Sequence, residues 1–306
     1  MTQTNHLTRR TFVRRALAAG MVGVAGPRLV IQEAVAGASR RQNKTWQIGC
    51  WSRPWAKYDY RVGMDAVAEA GYKYMGLTGA KTSTGRVIAP ATTLDEAQRV
   101  GEEARQRGLQ ITFVYGGGLP LHKGNESLMK MIDNCAAAGG QSVIIAHLGN
   151  EQTRDAYCKA IAGCCDYAEA KGVAINLKPH GGMTGTGPLC REAIERIGHK
   201  NCSLVYDPGN IYYYSDGRID PVQDAATVDG LVTGMSVKDY KHPNNVALTP
   251  GTGQVDFPAL MARLKEGGFT HGPLIVETLE PGDLEHTLAE AKKARRFLEQ
   301  LVEGLT

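Results

Sequence analysis

Eight short apolar runs recur along the chain, separated by longer segments rich in Ala, Glu and Lys. They are Gln47–Trp51, Tyr72–Leu77, Gln110–Val114, Ser142–His147, Val173–Leu177, Cys202–Tyr206, Val232–Val237 and Leu274–Val276. Each is apolar without alternation, as strands buried on both faces of a parallel sheet are. The intervening segments follow helical spacing. Thr93-x-x-Glu96 reads as a capping box, in which each residue's side chain satisfies the other's backbone N–H. Leu284, Leu288, Ala291, Ala294, Leu298 and Leu301 recur three or four apart along one face. Several helical segments close on glycine just before the next run, at Gly71, Gly108, Gly139 or Gly140, Gly172 and Gly268. A helix commonly ends through a left-handed residue, which glycine adopts without steric penalty. Eight β-then-α alternations predict a single (β/α)8 TIM barrel rather than an open doubly wound sheet. The lack of Gly-x-Gly-x-x-Gly after the first run agrees with this.

The barrel pattern occupies residues 46–306, preceded by a short extension at 37–45. Residues 1–36 read differently. Arg9-Arg10 is followed by Phe12-Val13, a weakly apolar stretch from Ala16 to Gly26, and Ala34-Val35-Ala36. That order resembles a bacterial twin-arginine export signal with its cleavage site. It implies delivery to the periplasm, with an uncleaved, membrane-anchored form as the variant. The apolar stretch falls short of the ~20 residues a spanning helix needs, so no stable span is expected in the mature chain.

Composition changes the picture once the leader is set aside. The formal charge of +4 belongs to residues 1–36, which hold five arginines against one glutamate. The remainder carries 30 basic and 30 acidic residues, so nucleic acid loses its electrostatic case as a partner. The seven cysteines include no Cys-x-x-Cys pair and fall in apolar contexts. They are expected to be mainly free and buried, where cysteine acts as a small hydrophobe.

Barrel chemistry sits at the C-terminal ends of strands, and that rule selects candidates directly. The runs end in Trp51-Ser52-Arg53, Thr78, Tyr115 with Gly116–Gly118, His147, Lys178-Pro179-His180, Asp207-Pro208-Gly209-Asn210, Lys238-Asp239 and Glu277-Thr278. Carboxylates, lysines and histidines on one rim suit proton transfer beside a carbonyl, with or without a divalent metal. Structural uses compete with this. Asp207 before Pro-Gly suits a turn, Lys178 suits an ion pair with Glu277 or Asp207, and Lys238 and Asp239 suit a mutual pair. Trp51 and Tyr115 offer either sugar-stacking faces or core. The Tyr212-Tyr213-Tyr214 run suits a pocket wall or an interface, leaving a homo-oligomer open.

Four segments resemble the xylose isomerase-like TIM barrel superfamily, the group of sugar phosphate isomerases and epimerases. They are Val173–His180, Val205-Tyr206-Asp207-Pro208-Gly209-Asn210, Ser236-Val237-Lys238-Asp239, and Gly251-x-Gly253-x-Val255-Asp256-Phe257 with Ile275-Val276-Glu277. The resemblance implies a divalent metal held by Glu, Asp, His and Glu from strands five to eight. Asp207 and Glu277 match, but Lys178 stands for the first Glu and Ser236 for the His. An ammonium is no ligand and repels a cation. Either Lys178 replaces the metal, or a metal (Mn, Zn, Co or Mg) has moved to a set such as Asp207, Glu277 and His180.

The expected function is an exported isomerase or epimerase of a sugar or keto-sugar. Glu277, Lys178 and His180 are the expected catalytic groups. Trp51, Tyr115, His147, Asn210, Lys238 and Asp239 are the expected substrate contacts, and a small carbohydrate is the partner. A lyase or hydrolase of 3-keto-glycosides would use the same groups. A sugar-binding barrel that has lost its metal is the non-catalytic alternative.

Overall fold

The alternation closes on itself. The computed structural model describes residues 45–305; the expected export leader and most of the extension at 37–45 lie outside the described residues. The chain runs β1 (Trp46–Trp51), α1 (Tyr60–Glu69), β2 (Tyr74–Leu77), α2 (Leu94–Gln106), β3 (Gln110–Tyr115) and α3 (Glu126–Ala137). It continues through β4 (Ser142–Ile145), α4 (Arg154–Ala170), β5 (Ala174–Leu177), α5 (Gly187–Ile197) and β6 (Cys202–Tyr206). Two short helices follow, α6 (Pro208–Tyr214) and α7 (Pro221–Ala225), before β7 (Val232–Val237), α8 (Phe257–Glu266), β8 (Gly272–Val276) and α9 (Leu284–Glu303). Each strand pairs in parallel with the next, and β8 pairs with β1 to complete the barrel.

Two strands begin later than their apolar runs suggest, for a local reason. Gly71, Gly108, Gly139 and Gly172 all have positive φ. The residue after each glycine returns its N–H to the helix: Tyr72 to Val67, Leu109 to Ala104, Gly140 to Cys135 and Val173 to Ala168. This hydrogen bond satisfies a carbonyl left open at the helix end. It takes Tyr72 and Val173 out of β2 and β5, although both stay buried. Thr93 and Glu96 form the capping box that starts α2. On α9, Ala291, Ala294 and Leu298 are buried, whereas Leu284 in its first turn is exposed.

Two apolar clusters hold the barrel. The larger lies where the helices pack on the strands. The smaller joins Trp51, Phe113, Ile144, Val205 and Ile275 from five different strands without any helix residue, which places it in the barrel lumen. It supports the rim from below. All seven cysteines are buried, and none forms a disulfide. Among the described residues no helix is long and apolar enough to cross a membrane.

Candidate active site

The site grows from the residues that follow β5, β6, β7 and β8. Lys178 extends β5, its N–H bonding the Ile145 carbonyl at 3.1 Å. Asp207 follows β6 as the N-cap of α6, where Oδ1 accepts the Asn210 N–H at 3.0 Å. Pro208 takes the first helical position, where a missing N–H costs nothing. Asp207 therefore caps α6 with one oxygen and meets Lys178 and Lys238 with the other. Gly209 is required by close approach: a Cβ there would lie 2.6 Å from Lys238 Cγ.

Three cations converge on two carboxylates. Lys178 Nζ lies 2.7 Å from Asp207 Oδ2 and hydrogen-bonds Glu277 Oε2. Lys238 Nζ lies 2.7 Å from Glu277 Oε1 and 3.3 Å from Asp207 Oδ2. Arg53 also bonds Glu277 Oε1. Ser236 donates to Glu277 Oε2 at 2.5 Å and receives the Trp51 indole N–H at 3.2 Å. Lys178, Lys238, Asp207 and Glu277 are each no more than 4% exposed, so their charges persist only because they pair. Burial works against the charge on Lys178, but Asp207 and Glu277 outweigh it and hold its pKa above the usual lysine range. For Lys238 burial prevails and its pKa falls, although both carboxylates oppose that. Burial opposes ionisation of Glu277 too, yet Lys178, Lys238 and Arg53 hold its carboxyl well below the usual range.

Above this network opens a cavity of about 330 Å3 lined by Trp51, Arg53, Thr78, Arg86, Tyr115, Lys178, His180 and Glu277, among others. His180 is half-buried, its Nδ1 3.1 Å from the Tyr214 hydroxyl and its ring edge-on to His147 at 4.4 Å. Burial first, then Lys178, His147 and Lys238, push its pKa down to about 3, so the imidazole is neutral. Burial, Lys178 and Arg86 lower His147 likewise.

Several expected roles change. Asp239 is not a substrate contact: its oxygens accept four backbone N–H groups, from Tyr240, Val255, Gly251 and Gly253, and it is fully buried. Nor does it pair with Lys238, which binds Asn210 Oδ1 at 3.0 Å instead. Asn210 spends its amide on the Pro179 carbonyl at 2.7 Å. Asn210 and Lys238 thus lie behind the lining and position it. Trp51 lines the cavity but is almost wholly buried and packs on Phe113 in the lumen, so it offers no broad stacking face. His147 lies beyond the end of β4, outside the lining, and supports His180. Arg53 and Tyr214, read as a rim residue and part of a pocket wall or interface, reach the cavity and His180, and Arg86 enters the lining without having been among the candidates.

The donor set does not fit the family's metal. The Lys178 ammonium lies between Asp207 and Glu277, where a cation would be held, and Ser236 is committed to Trp51 and Glu277. The relocated set fails as well. Among the described residues, three-ligand groups of His and carboxylates occur at Asp166, Glu169 and His199 and at Glu280, His286 and Glu290, not at Asp207, Glu277 and His180.

No curated protein matches the chain by sequence. Its fold closely matches solved structures at low identity. An L-ribulose 3-epimerase has a TM-score of 0.67 at 18% identity, over 85% of this chain and 95% of that one. A D-allulose 3-epimerase from Methylomonas sp. has 0.66 at 18%, over 84% and 98%. A 3-keto-D-glucoside 4-epimerase from E. coli has 0.62 at 15%, over 84% and 100%. The profile of one family matches residues 64–301, most of the barrel, and with the closed eight-stranded fold this settles the affiliation: the chain belongs to the xylose isomerase-like TIM barrel family.

Proposed function

We propose that the protein is an isomerase or epimerase of a sugar or keto-sugar that moves a proton on a carbon next to a carbonyl, with lysine in place of the family's metal. The observation that carries this is Lys178: a buried, fully paired ammonium that still lines the cavity beside neutral His180. Loss of a C–H proton next to a carbonyl puts negative charge on oxygen. A fixed cation in a dry site stabilises that charge strongly, because it needs no reorganisation during the reaction. Neutral His180 suits hydrogen-bond donation to the same oxygen and proton movement between adjacent oxygens.

Glu277 is the carboxylate on the wall and the proposed proton acceptor. At rest both its oxygens are engaged, and a carboxyl held so low is a weak base. Half-exposed Arg53 is the partner best able to leave. Its departure toward substrate leaves Oε1 to Lys238 alone and lets burial raise the basicity of Glu277. The three epimerases of like fold support the reaction class.

The test is exchange in D2O. Incubated with ketoses and 3-keto-glucosides in the presence of chelator, the protein is expected to place deuterium next to the carbonyl, read by NMR. Lys178→Met is expected to slow exchange by about 10²–10³-fold, the typical loss of one oxyanion donor. No exchange with any carbonyl sugar would sink the proposal. Release of the aglycone from 3-keto-glycosides would instead identify the lyase reading, since the same carbanion can expel a β-substituent.

Export is proposed on the twin arginines and the small-residue site that follows at Ala34–Ala36. Arg9→Lys with Arg10→Lys is expected to leave the full-length protein in the cytoplasm of a bacterial host; unchanged periplasmic recovery would refute the route.

A further inference from the structure

We infer that the sugar bound here carries an acid group, a carboxylate or a phosphate, which Arg53 and Arg86 receive. This deepens the isomerase/epimerase reading and rests on it for the rest of the substrate. The cavity wall presents Arg53, Arg86 and Lys178 against Glu277. Directly behind it, Lys238 stands against Asp207. Four cations thus face two carboxylates in a concave site, and such a site concentrates positive potential. A neutral sugar has no use for that excess. The oxyanion formed during proton transfer accounts for one charge, and Lys178 is placed to meet it.

The two arginines remain. They come from the loops after β1 and β2, on the side of the mouth that also holds Tyr115. Arg86 stacks over the Tyr115 ring, its carbon 5.0 Å from the centroid. It donates to the backbone carbonyls of Tyr115 at 3.1 Å and Gly117 at 2.7 Å, not to a carboxylate. Those contacts fix its plane and leave its charge without a carboxylate partner among the described residues. The Arg53 side chain is 47% exposed and is held through Glu277. Planar guanidinium groups match the paired oxygens of carboxylate and phosphate.

Calorimetry with matched trios tests this: D-glucose, D-glucuronate and D-glucose 6-phosphate, and the galacto and manno equivalents. The acid form is expected to bind at least about tenfold more tightly than its neutral counterpart at low salt, with the preference shrinking as salt screens the charges. Comparing uronate with phosphate identifies which acid the site takes. Arg86→Gln is expected to remove most of the preference for the acid over its neutral counterpart. If no acid or phosphate outbinds its neutral partner, whether the pairs bind equally or none binds, the inference is overturned. Binding needs no turnover. A protein that prefers acids yet exchanges no C–H proton would sink the isomerase reading and spare this one; exchange confined to neutral keto-sugars would do the reverse.

Discussion

Glu277→Gln is expected to destabilise the barrel by about 3–5 kcal/mol, the usual cost of removing one partner from a buried ion pair, and to abolish deuterium exchange. The wild-type network balances Lys178, Lys238 and Arg53 against Asp207 and Glu277. Glutamine keeps the shape and can still take the Ser236 hydrogen bond, but three cations are left facing one carboxylate. Arg53 can turn to solvent, so little of the penalty comes from it. Lys178 and Lys238, each 2% exposed, cannot. For a domain of this size each kcal/mol moves Tm by about 2–4 °C, so a shift on the order of 10 °C is expected in thermal unfolding.

The pH dependence separates electrostatic loss from poor packing. The pKa of Lys238 is already below its ordinary value in the wild type, and loss of Glu277 lowers it further. The unfolded chain then holds a proton that the folded variant lacks between the lowered folded pKa and lysine's ordinary value. Stability therefore rises with pH across that window. Glu277 works at the other end: its depressed pKa contributes wild-type stability above the unfolded carboxylate value, lost as pH falls through the folded one. The gap between wild type and variant is thus expected to narrow toward alkaline pH and toward strong acid. A second change provides the control. Adding Lys238→Met removes one cation along with the carboxylate and restores the original excess of one. The double variant is expected to recover much of the stability and none of the exchange. A double variant no more stable than Glu277→Gln, with a gap independent of pH, would show that charge is not what holds this network.

The sequence makes the barrel legible because strand and helix are encoded locally, in apolar runs and in glycine at helix ends. The rim is legible for the same reason: position after a strand locates Lys178, Asp207 and Glu277. What position does not encode is the direction a side chain takes once the strand has ended. Asp239 is the second residue past β7, yet it turns away from the cavity because the segment at Gly251–Val255 returns to wrap it with N–H groups. The Gly-x-Gly-x-Val spacing carries that signal, but only once Asp239 is known to lie inside the turn. Arg86 is obscured for another reason. Long side chains on loops reach a site through tertiary geometry, and no periodicity in the chain reports their reach. Ser236 reads as a lost histidine when viewed as a ligand position; its hydroxyl instead ties Trp51 to Glu277.

Lys178→Glu combined with Ser236→His is expected to turn the lysine-centred network into a metal site. The substitutions install the Glu, Asp, His and Glu donors that the family resemblance implies on the ends of β5 to β8, and charge explains why both are needed. The native network holds three cations and two carboxylates, an excess of one positive charge. Lys178→Glu alone leaves Arg53 and Lys238 against three buried carboxylates and should destabilise the fold without metal. A bound divalent ion returns the total to one positive charge, the native value, and the imidazole introduced by Ser236→His would supply a neutral fourth donor. Titration with MnCl2 is expected to raise Tm of the double variant, by the equivalent of about 2.7 kcal/mol at 100-fold excess over Kd. Elemental analysis is expected to find about one manganese per chain. The wild type should show neither effect, because the Lys178 ammonium already occupies the space between Asp207 and Glu277. One equivalent of tightly held metal at the rim of the wild type would mean that the ammonium yields to a cation, and the lysine-for-metal reading would fall with it.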